Sequence, residues 1–341
     1  MDRKLLGVIA VVAAVVFGLF LFNLVSDTDD EGAATGTTLG ATTTEPDGST
    51  TTSSQASTTT EGSDTGFPVT IDAPNGEVTI DTKPQRIVSI SPTSTEVLFA
   101  VGAGTQVVAV DDQSNFPTNA PVTDLTGFTP NVEAIASYDP DVVFLSFDPG
   151  DVIAGLEALD IPVILHPTAV TISDAYEQWE QVGAATGNLS DAKDVVATTQ
   201  ASIATSIETL PDGADTLTYY YELDPTFYSV TSSTFVGELF ALTGMSNIAD
   251  PADLDGYGFP QLTAEYIIEQ NPGLIYLADT RCCGQSIDTV AERPGWNTLD
   301  AVVNGAVVEL DDDIASRWGP RIAELVDDIV LSIVDLEVVN A

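Results

Sequence analysis

Residues 133–145 read EAIASYDPDVVFL, and residues 265–277 read EYIIEQNPGLIYL. In both segments a glutamate begins a short helical pattern, an Asp-Pro or Asn-Pro turn follows, and a continuous apolar run ends the segment. Such a run, bounded by turn residues, is typical of a strand that is buried on both faces of a sheet. Because the segment occurs once in each half of the chain, it predicts two lobes of similar construction.

Further buried strands are predicted around these segments, with helical patterns between them. This alternation indicates an α/β fold with parallel sheets that are covered on both faces. A hairpin signal at Asn75-Gly76 opens the folded part. The predicted strands are RIVSIS (86–91), VVAV (107–110) and PVILH (162–166) in the first half, and TLTYYY (216–221), FYSV (227–230) and AVVEL (306–310) in the second.

The stretch between the two sets of strands is helical. Ser173 and Ser190 are the predicted caps of its two helices, and the second helix is expected to reach about Leu210. The predicted organisation is therefore an N-terminal lobe (67–188), a connecting helix (189–211) and a C-terminal lobe (212–341).

Residues 1–25 carry a membrane-targeting pattern. Arg3 and Lys4 precede an apolar run from Leu5 to Val25. About 21 residues at a rise of 1.5 Å span about 30 Å, the thickness of a bilayer core. The basic flank places everything after the run outside the cell membrane, and no cysteine follows it to carry a lipid anchor. An uncleaved anchor is favoured, and a cleaved signal peptide is the alternative.

Residues 26–66 are rich in Ser and Thr and contain no Lys or Arg. This composition cannot bury enough apolar surface to offset the entropy of ordering, so a flexible linker is predicted. The whole chain has 9 basic and 52 acidic residues, a formal net charge of −43, which excludes a nucleic-acid-binding face. We interpret the acidity as a solvated surface of a monomeric protein, with attraction of a cationic ligand as the alternative.

In their order and spacing these segments resemble the class III substrate-binding proteins of ABC importers, a group that carries cobalamin, ferric siderophores and haem. The resemblance covers about Phe67 to Val339. It implies two α/β lobes joined by a single long rigid helix, with the ligand bound in a cleft between the lobes. The segments that carry it, besides the two already quoted, are PQRIVSISPTSTEVLFAVGAGTQVVAVDDQSNFP (84–117), RPGWNTLDAVVNGAVVEL (293–310) and SRWGPRIAELVDDI (316–329).

The resemblance also implies a docking role for Glu133 and Glu265. In the family, one surface glutamate of each lobe contacts arginines of the permease, and these two residues occupy the matching positions. Exposed ion pairs contribute only ~0.2–1 kcal/mol each, so they set register and encounter rate more than affinity. The alternative is a helix-start carboxylate that the helix dipole favours.

Ligand-facing residues are expected at the carboxyl ends of the parallel strands, where open α/β sheets place their crevices. A flat, bulky ligand needs aromatic walls and a few polar anchors. For any single aromatic residue, a place in the core is the alternative. The candidates are Ser91, Pro92, Thr93, Phe116, Phe128 and Phe147 in the first lobe, and Tyr221, Phe227, Tyr228, Phe259, Arg281, Arg317 and Trp318 in the second.

Two arginines and the two cysteines each allow two interpretations. Arg281 and Arg317 are able to hold an anionic ligand group or to pair with acids of the chain itself. Cys282 and Cys283 either form a disulfide between neighbouring residues or remain two thiols. No metal site is predicted, because His166 is the only histidine and the chain has no third cysteine.

No enzyme is predicted, since the chain has neither a P-loop nor a nucleophile elbow, and VGAGTQV lacks the third glycine of a dinucleotide fingerprint. We expect an extracytoplasmic binding protein that needs no cofactor and captures a corrinoid or ferric siderophore. An ABC permease and its ATPase are the expected partners. One alternative is an anchored sensor on the same fold, and another is a binding protein for bare zinc or manganese ions, which the lack of histidines disfavours.

Overall fold

The computed structural model describes residues 66–340. The predicted anchor (1–25) and nearly all of the predicted linker (26–66) therefore lie outside the described residues. Between residues 66 and 340, none of the helices combines the length and the apolar character that a membrane span requires.

The first lobe opens with the predicted hairpin and continues as a parallel sheet. Strands β1 (Val69–Ala73) and β2 (Gly76–Ile80) are antiparallel, with Ala73 opposite Gly76. The sheet has the order β4-β3-β5-β6 and is parallel throughout. Its strands are β3 (Ile87–Ile90), β4 (Val107–Val110), β5 (Val142–Leu145) and β6 (Val163–Leu165), and the helices between them are α1 (Pro92–Ala100), α2 (Val132–Ala136) and α3 (Val152–Glu157).

Two long helices follow, α4 (Ile172–Thr186) and α5 (Leu189–Ile207). The predicted caps are wrong by two residues, because Thr171 caps α4 through a capping box and α5 begins after Asn188. The two helices pack closely at Gly183, where an added Cβ would lie 2.4 Å from the Cβ of Ala192. The second helix ends at Ile207, before the strands of the second half begin.

The second lobe has a parallel sheet of the order β10-β9-β7-β8. The strands of this sheet are β7 (Thr218–Glu222), β8 (Ser246–Asn247), β9 (Leu274–Leu277) and β10 (Val307–Glu309). The helices of the second lobe are α6 (Phe235–Ala241), α7 (Ala264–Gln270), α8 (Thr280–Cys283), α9 (Ile287–Ala291), α10 (Asp300–Val303), α11 (Asp312–Ala315) and α12 (Ile322–Asn340).

The prediction of a strand at FYSV is wrong, because Phe227 has a positive φ of 70° and only one bridge, from Tyr228 to Gln261, forms there.

The repeated segment builds equivalent parts of the two lobes. Asn131 caps α2 and Thr263 caps α7, each through a side-chain oxygen that accepts a backbone N–H. Asp139 and Asn271 precede the prolines with φ of 50° and 45° and reverse the chain. The strands that follow, β5 and β9, are inner strands of their sheets. The two-lobed α/β prediction is confirmed.

One apolar core runs through both lobes. It includes Trp179 of α4, Tyr219 of β7 and Val326 of α12. The indole N–H of Trp179 donates to the carbonyl of Trp318 at 2.9 Å, which joins the C-terminal segment to the first lobe. The lobes are thus held together by packing of the connecting helix α5 against α4 and α12 as well as by the chain connection itself.

Candidate functional site

The carboxyl ends of the two sheets meet between the lobes. Asn115 lies in the loop after β4, and Asp313 lies shortly after β10. The amide of Asn115 donates to the Asp313 carboxylate at 2.8 Å. Because ligands of open α/β sheets bind outside the carboxyl ends of the strands, the candidate site is the cleft that these two ends border.

A cluster of charged and polar side chains, in which Glu96 and Arg317 are buried, joins the lobes at this point and is here called the interlobe clasp. It consists of Glu96 and Asn115 from the first lobe and Asp313, Arg317 and Arg321 from the second. Glu96 Oε1 accepts from Arg317 Nη1 at 2.7 Å and from Arg321 Nη2 at 2.5 Å, and Glu96 Oε2 accepts from Arg321 Nε at 3.0 Å. Arg317 also donates to Asn115 Oδ1 at 3.0 Å and to Asp313 Oδ1 at 2.8 Å.

The two arginines predicted as anchors for an anionic ligand are both paired within the chain. Arg317 is almost completely buried in the interlobe clasp. Arg281 is exposed but pairs with Asp313 and, at 3.3 Å, with Asp311. The structure therefore shows the intramolecular alternative for both residues, and an anionic ligand would have to displace these carboxylates.

Aromatic candidates of the first lobe come together at the strand ends. The rings of Phe128 and Phe147 are 6.4 Å apart between centroids and tilted by 44°. Phe116 is 40% exposed, and its ring lies 4.3 Å from the guanidinium carbon of Arg321. A guanidinium over a ring face stabilises by about 0.5–2 kcal/mol, so Arg321 fixes the position of Phe116 at the cleft.

In the second lobe the candidates divide between loop and core. Tyr228 and Phe259 are half-buried on two segments that are joined by the bond from the Ser229 N–H to the Pro260 carbonyl, 3.0 Å. Tyr221 is fully buried, and its hydroxyl donates to the Ala315 carbonyl at 3.2 Å. The prediction that Tyr221 faces the ligand is wrong, because its side chain has no accessible surface.

Four other candidates have structural roles that are visible in their contacts. Ser91 is the N-cap of α1, where its hydroxyl accepts from the Ser94 N–H at 3.2 Å. Thr93 is buried in the first turn of α1, and Pro92 is the first helical residue, half-buried. Trp318 is buried and donates from its indole N–H to Gln178 at 2.7 Å. Burial of Ser91, Thr93 and Trp318 contradicts their prediction as ligand-facing side chains.

Sequence reasoning missed a buried charged cluster at the strand ends of the second lobe. Arg293 makes a bidentate pair with Glu222, with Nη1 to Oε2 at 2.6 Å and Nη2 to Oε1 at 2.5 Å. The Arg293 guanidinium also covers the ring of Trp296 at 4.5 Å. Asp279 lies beside this pair, fully buried. A signal was present in the sequence, because Glu222 and Asp279 each end an apolar strand segment, YYYE and LIYLAD.

A buried carboxylate also follows β4 in the first lobe. Burial raises the pKa of Asp111 to about 6, and hydrogen bonds from the Gln113 N–H at 2.8 Å and the Ser114 hydroxyl at 3.1 Å oppose this shift. Buried acids thus follow strand ends in both lobes.

Cys282 and Cys283 form a disulfide at the cleft edge. They lie in α8, whose first N–H groups are bound by Asp312: its carboxylate accepts from Thr280 N at 3.0 Å, Arg281 N at 2.9 Å and Cys282 N at 2.8 Å. Of the two alternatives for the cysteines, the structure shows the disulfide, and it stiffens a helix that follows β9.

The lone histidine belongs to the core. His166 is buried, and its Nε2 is 2.9 Å from Gln181 Oε1. Burial lowers the pKa of His166 to about 4, although the hydrogen bond to Gln181 opposes this. Among the side chains between residues 66 and 336, no three His, Cys, Asp or Glu residues come together as a metal site.

Glu133 and Glu265 occupy equivalent positions on the two lobes. Each is exposed, and each is the second residue of a helix that begins after a capping side chain. Neither carboxylate forms an ion pair with a described residue. Both carboxylates are therefore available to arginines of a partner.

Comparison with known proteins identifies the family. A profile of the periplasmic binding protein family matches residues 87–314. The uncharacterized ABC transporter substrate-binding lipoprotein YvrC of Bacillus subtilis is 31% identical over 281 residues, which cover 78% of this chain and 86% of that protein. The cobalamin-binding protein of Halobacterium salinarum is 28% identical over 271 residues, which cover 76% of this chain and 72% of that protein.

The fold agrees with a solved structure of the same kind. A possible iron-binding, periplasmic solute-binding protein from Staphylococcus epidermidis has a TM-score of 0.65 to this chain and is 25% identical to it. The match covers 74% of this chain and 99% of that protein. The profile, the relatives and the fold agree, and the chain belongs to the periplasmic binding protein family.

Proposed function

We propose that the chain is the extracytoplasmic solute-binding component of an ABC importer, and that it captures a bulky neutral or cationic chelate of the corrinoid kind. The observation that carries the ligand class is the pairing of the cleft arginines. Each of Arg281, Arg293, Arg317 and Arg321 already binds one or more carboxylates of the chain. An anionic ligand would have to break such a pair, and this leaves a carboxylate without its partner.

The surroundings of the cleft support the same choice. Phe116, Phe128 and Phe147 offer aromatic surface beside the strand ends, which suits a large ring system. The formal net charge of −43 opposes the approach of an anion, although salt reduces this effect. The names of the relatives from Halobacterium salinarum and Vibrio campbellii, which are cobalamin- and vitamin B12-binding proteins, agree with a corrinoid.

Ligand titration tests this proposal. The full-length chain is expected to bind cyanocobalamin with a Kd of about 1 µM or tighter, measured by calorimetry and by tryptophan fluorescence. Phe116→Ala is expected to weaken binding about tenfold, which corresponds to about 1.4 kcal/mol. Arg281→Ala is the matched control at the cleft edge, and its Kd stays within about twofold of the wild-type value.

Two results would contradict the ligand class. Tight binding of a ferric catecholate that is lost in Arg281→Ala would replace the corrinoid by an anionic siderophore. Micromolar binding of zinc or manganese ions, with no binding of any chelate, would replace the chelate by a bare ion. A sensor without transport remains the second candidate function, and permease and ATPase genes beside this gene would decide against it.

We propose that residues 1–25 tether the protein to the membrane. The YvrC relative is named a lipoprotein, but the only cysteines of this chain are Cys282 and Cys283, so the apolar run from Leu5 to Val25 is the candidate anchor. The mature protein is expected to keep Met1 and to sediment with membranes. Mass spectrometry of its N-terminal peptide is the measurement, and a mature N-terminus between residues 25 and 66 would refute the uncleaved anchor.

A further inference from the structure

Asp279 lies two residues beyond the end of β9, and no described group donates a hydrogen bond to its carboxyl oxygens. Its side chain is fully buried, and neither carboxylate oxygen has a hydrogen-bond partner among the described residues. An ionised carboxylate that is removed from water without a donor or a cation is strongly disfavoured. The geometry therefore indicates that the Asp279 carboxyl carries a proton in this state of the protein.

The charged and titratable groups around Asp279 do not remove this penalty. Glu222, at the end of β7, is the negative charge with the largest effect on Asp279, and it is itself paired with Arg293. Asp312 of α11 adds a second negative charge. The phenols of Tyr220 and Tyr221 face the same region, but they donate to Glu222 at 3.3 Å and to the Ala315 carbonyl at 3.2 Å.

These neighbours and its burial determine the pKa of the Asp279 carboxyl. Burial, followed by the charge of Glu222, raises the pKa of Asp279 to about 8, and the charge of Arg293 opposes the shift. The Arg293 guanidinium thus balances the charge of the Glu222 carboxylate, while Asp279 is protonated and carries no charge. Once Asp279 ionises, Arg293 is attracted by two carboxylates and cannot satisfy both in its bidentate geometry.

Asp279 is connected to two features of the cleft. Its carbonyl accepts from Cys283 N and from Gln285 N, both at 3.3 Å, so it anchors the end of the disulfide-bearing helix α8. The side-chain oxygen of Gln285 accepts from Arg293 Nη2 at 2.7 Å. Arg293 in turn covers Trp296, and the ring of Phe227 stacks on Trp296 at 5.7 Å between centroids. Phe227 immediately precedes the candidate ligand residue Tyr228.

We propose that Glu222, Asp279 and Arg293 form a proton-linked switch, which holds the Phe227–Trp296 stack and α8 in place while Asp279 is protonated and weakens ligand capture when Asp279 ionises. Its effect on capture rests on the function proposed above, whereas its effect on the ring stack does not. The switch acts through position, because Asp279 itself has no surface that a ligand could reach.

Fluorine NMR tests the switch without any ligand. The chain has only 3 tryptophans, so 5-fluorotryptophan labelling gives three resonances, and Trp296→Phe identifies the one of interest. The Trp296 resonance is expected to shift with a midpoint near pH 8, and Asp279→Asn is expected to abolish this step. Asp288→Asn, which makes the same change at an exposed site of α9, keeps the wild-type step. A flat wild-type profile between pH 6 and pH 10 overturns the switch, as does a step that persists in Asp279→Asn.

Binding of cyanocobalamin tests the consequence for capture. The wild-type Kd is expected to be about tenfold weaker at pH 9.5 than at pH 6.5, and the Kd of Asp279→Asn to change by less than about twofold. An equal loss of affinity in both proteins overturns the link to capture. The fluorine step without cyanocobalamin binding at any pH supports the switch and contradicts the proposed ligand, so the two failures are distinguishable.

Thermal unfolding gives a third test, because the raised pKa of Asp279 determines whether stability rises or falls with pH. In the unfolded chain Asp279 ionises near pH 4, so between about pH 4 and pH 8 the folded protein holds a proton that the unfolded chain lacks. Wild-type stability therefore falls with rising pH relative to Asp279→Asn. The Tm difference, Asp279→Asn minus wild type, is expected to grow by about 8 °C from pH 4.5 to pH 8.5, and a constant difference contradicts the proposal.

Discussion

Replacing Glu133 and Glu265 together by arginine is expected to reduce ligand uptake at least about 100-fold, while the Kd of the ligand stays within about twofold of the wild-type value. The two carboxylates are exposed at equivalent helix starts, and neither is paired with a described residue. If they dock on arginines of a permease, the substitution places like charges opposite each other at two sites, which costs several kcal/mol. Ligand affinity is expected to be unaffected because both carboxylates are exposed and form no ion pair with a described cleft residue.

The measurement is uptake of labelled ligand by cells or proteoliposomes, beside calorimetry of the same variants. Glu157→Arg combined with Glu292→Arg is the matched control, because it makes the same charge change at one exposed glutamate in each lobe. This control is expected to transport normally. Normal transport by the Glu133→Arg, Glu265→Arg variant would show that these glutamates only favour the helix starts through the helix dipole.

The fold could be predicted from the sequence because its signals are local. An apolar run that follows a turn residue specifies a buried strand within a single segment, and the repeat placed one such strand at the centre of each sheet. The same reasoning failed at FYSV, where the β-branched and aromatic composition favours a strand. There the positive φ of Phe227 and its stacking on Trp296 prevail, and Trp296 lies far along the chain.

The cleft could be predicted only in part, because burial and pairing depend on distant residues. Arg317 looked like a ligand anchor, but its partner Glu96 is 221 positions away. Tyr221 and Trp318 follow or flank loop signals, yet both are core residues. Glu222 and Asp279 stand at the ends of apolar strand segments, a position that indicates a buried acid. Because the chain has 52 acids, this position alone did not distinguish these two from the others.

Glu96→Ala is expected to lower the free energy of unfolding by about 3–5 kcal/mol, as when one partner of a buried ion pair is removed. Glu96 is buried in α1 and is the first-lobe carboxylate that both Arg317 and Arg321 bind. Without it Arg317 keeps its hydrogen bonds to Asp313 and Asn115, whereas Arg321 loses its ion pair and keeps the ring face of Phe116 and the more distant charges of Glu324 and Asp311. The loss therefore falls mainly on Arg321 and on the junction between the lobes.

Urea unfolding measures this change, with Asp335→Ala as the control, because Asp335 is an exposed acid near the far end of α12, away from Arg321. The control is expected to change stability by less than about 0.5 kcal/mol. The effect of Glu96→Ala should persist in 1 M salt, since a buried pair is screened far less than a surface pair. A loss below about 1 kcal/mol, or one that disappears in salt, would mean that water reaches the interlobe clasp and that apolar packing of α4, α5 and α12 alone holds the lobes together.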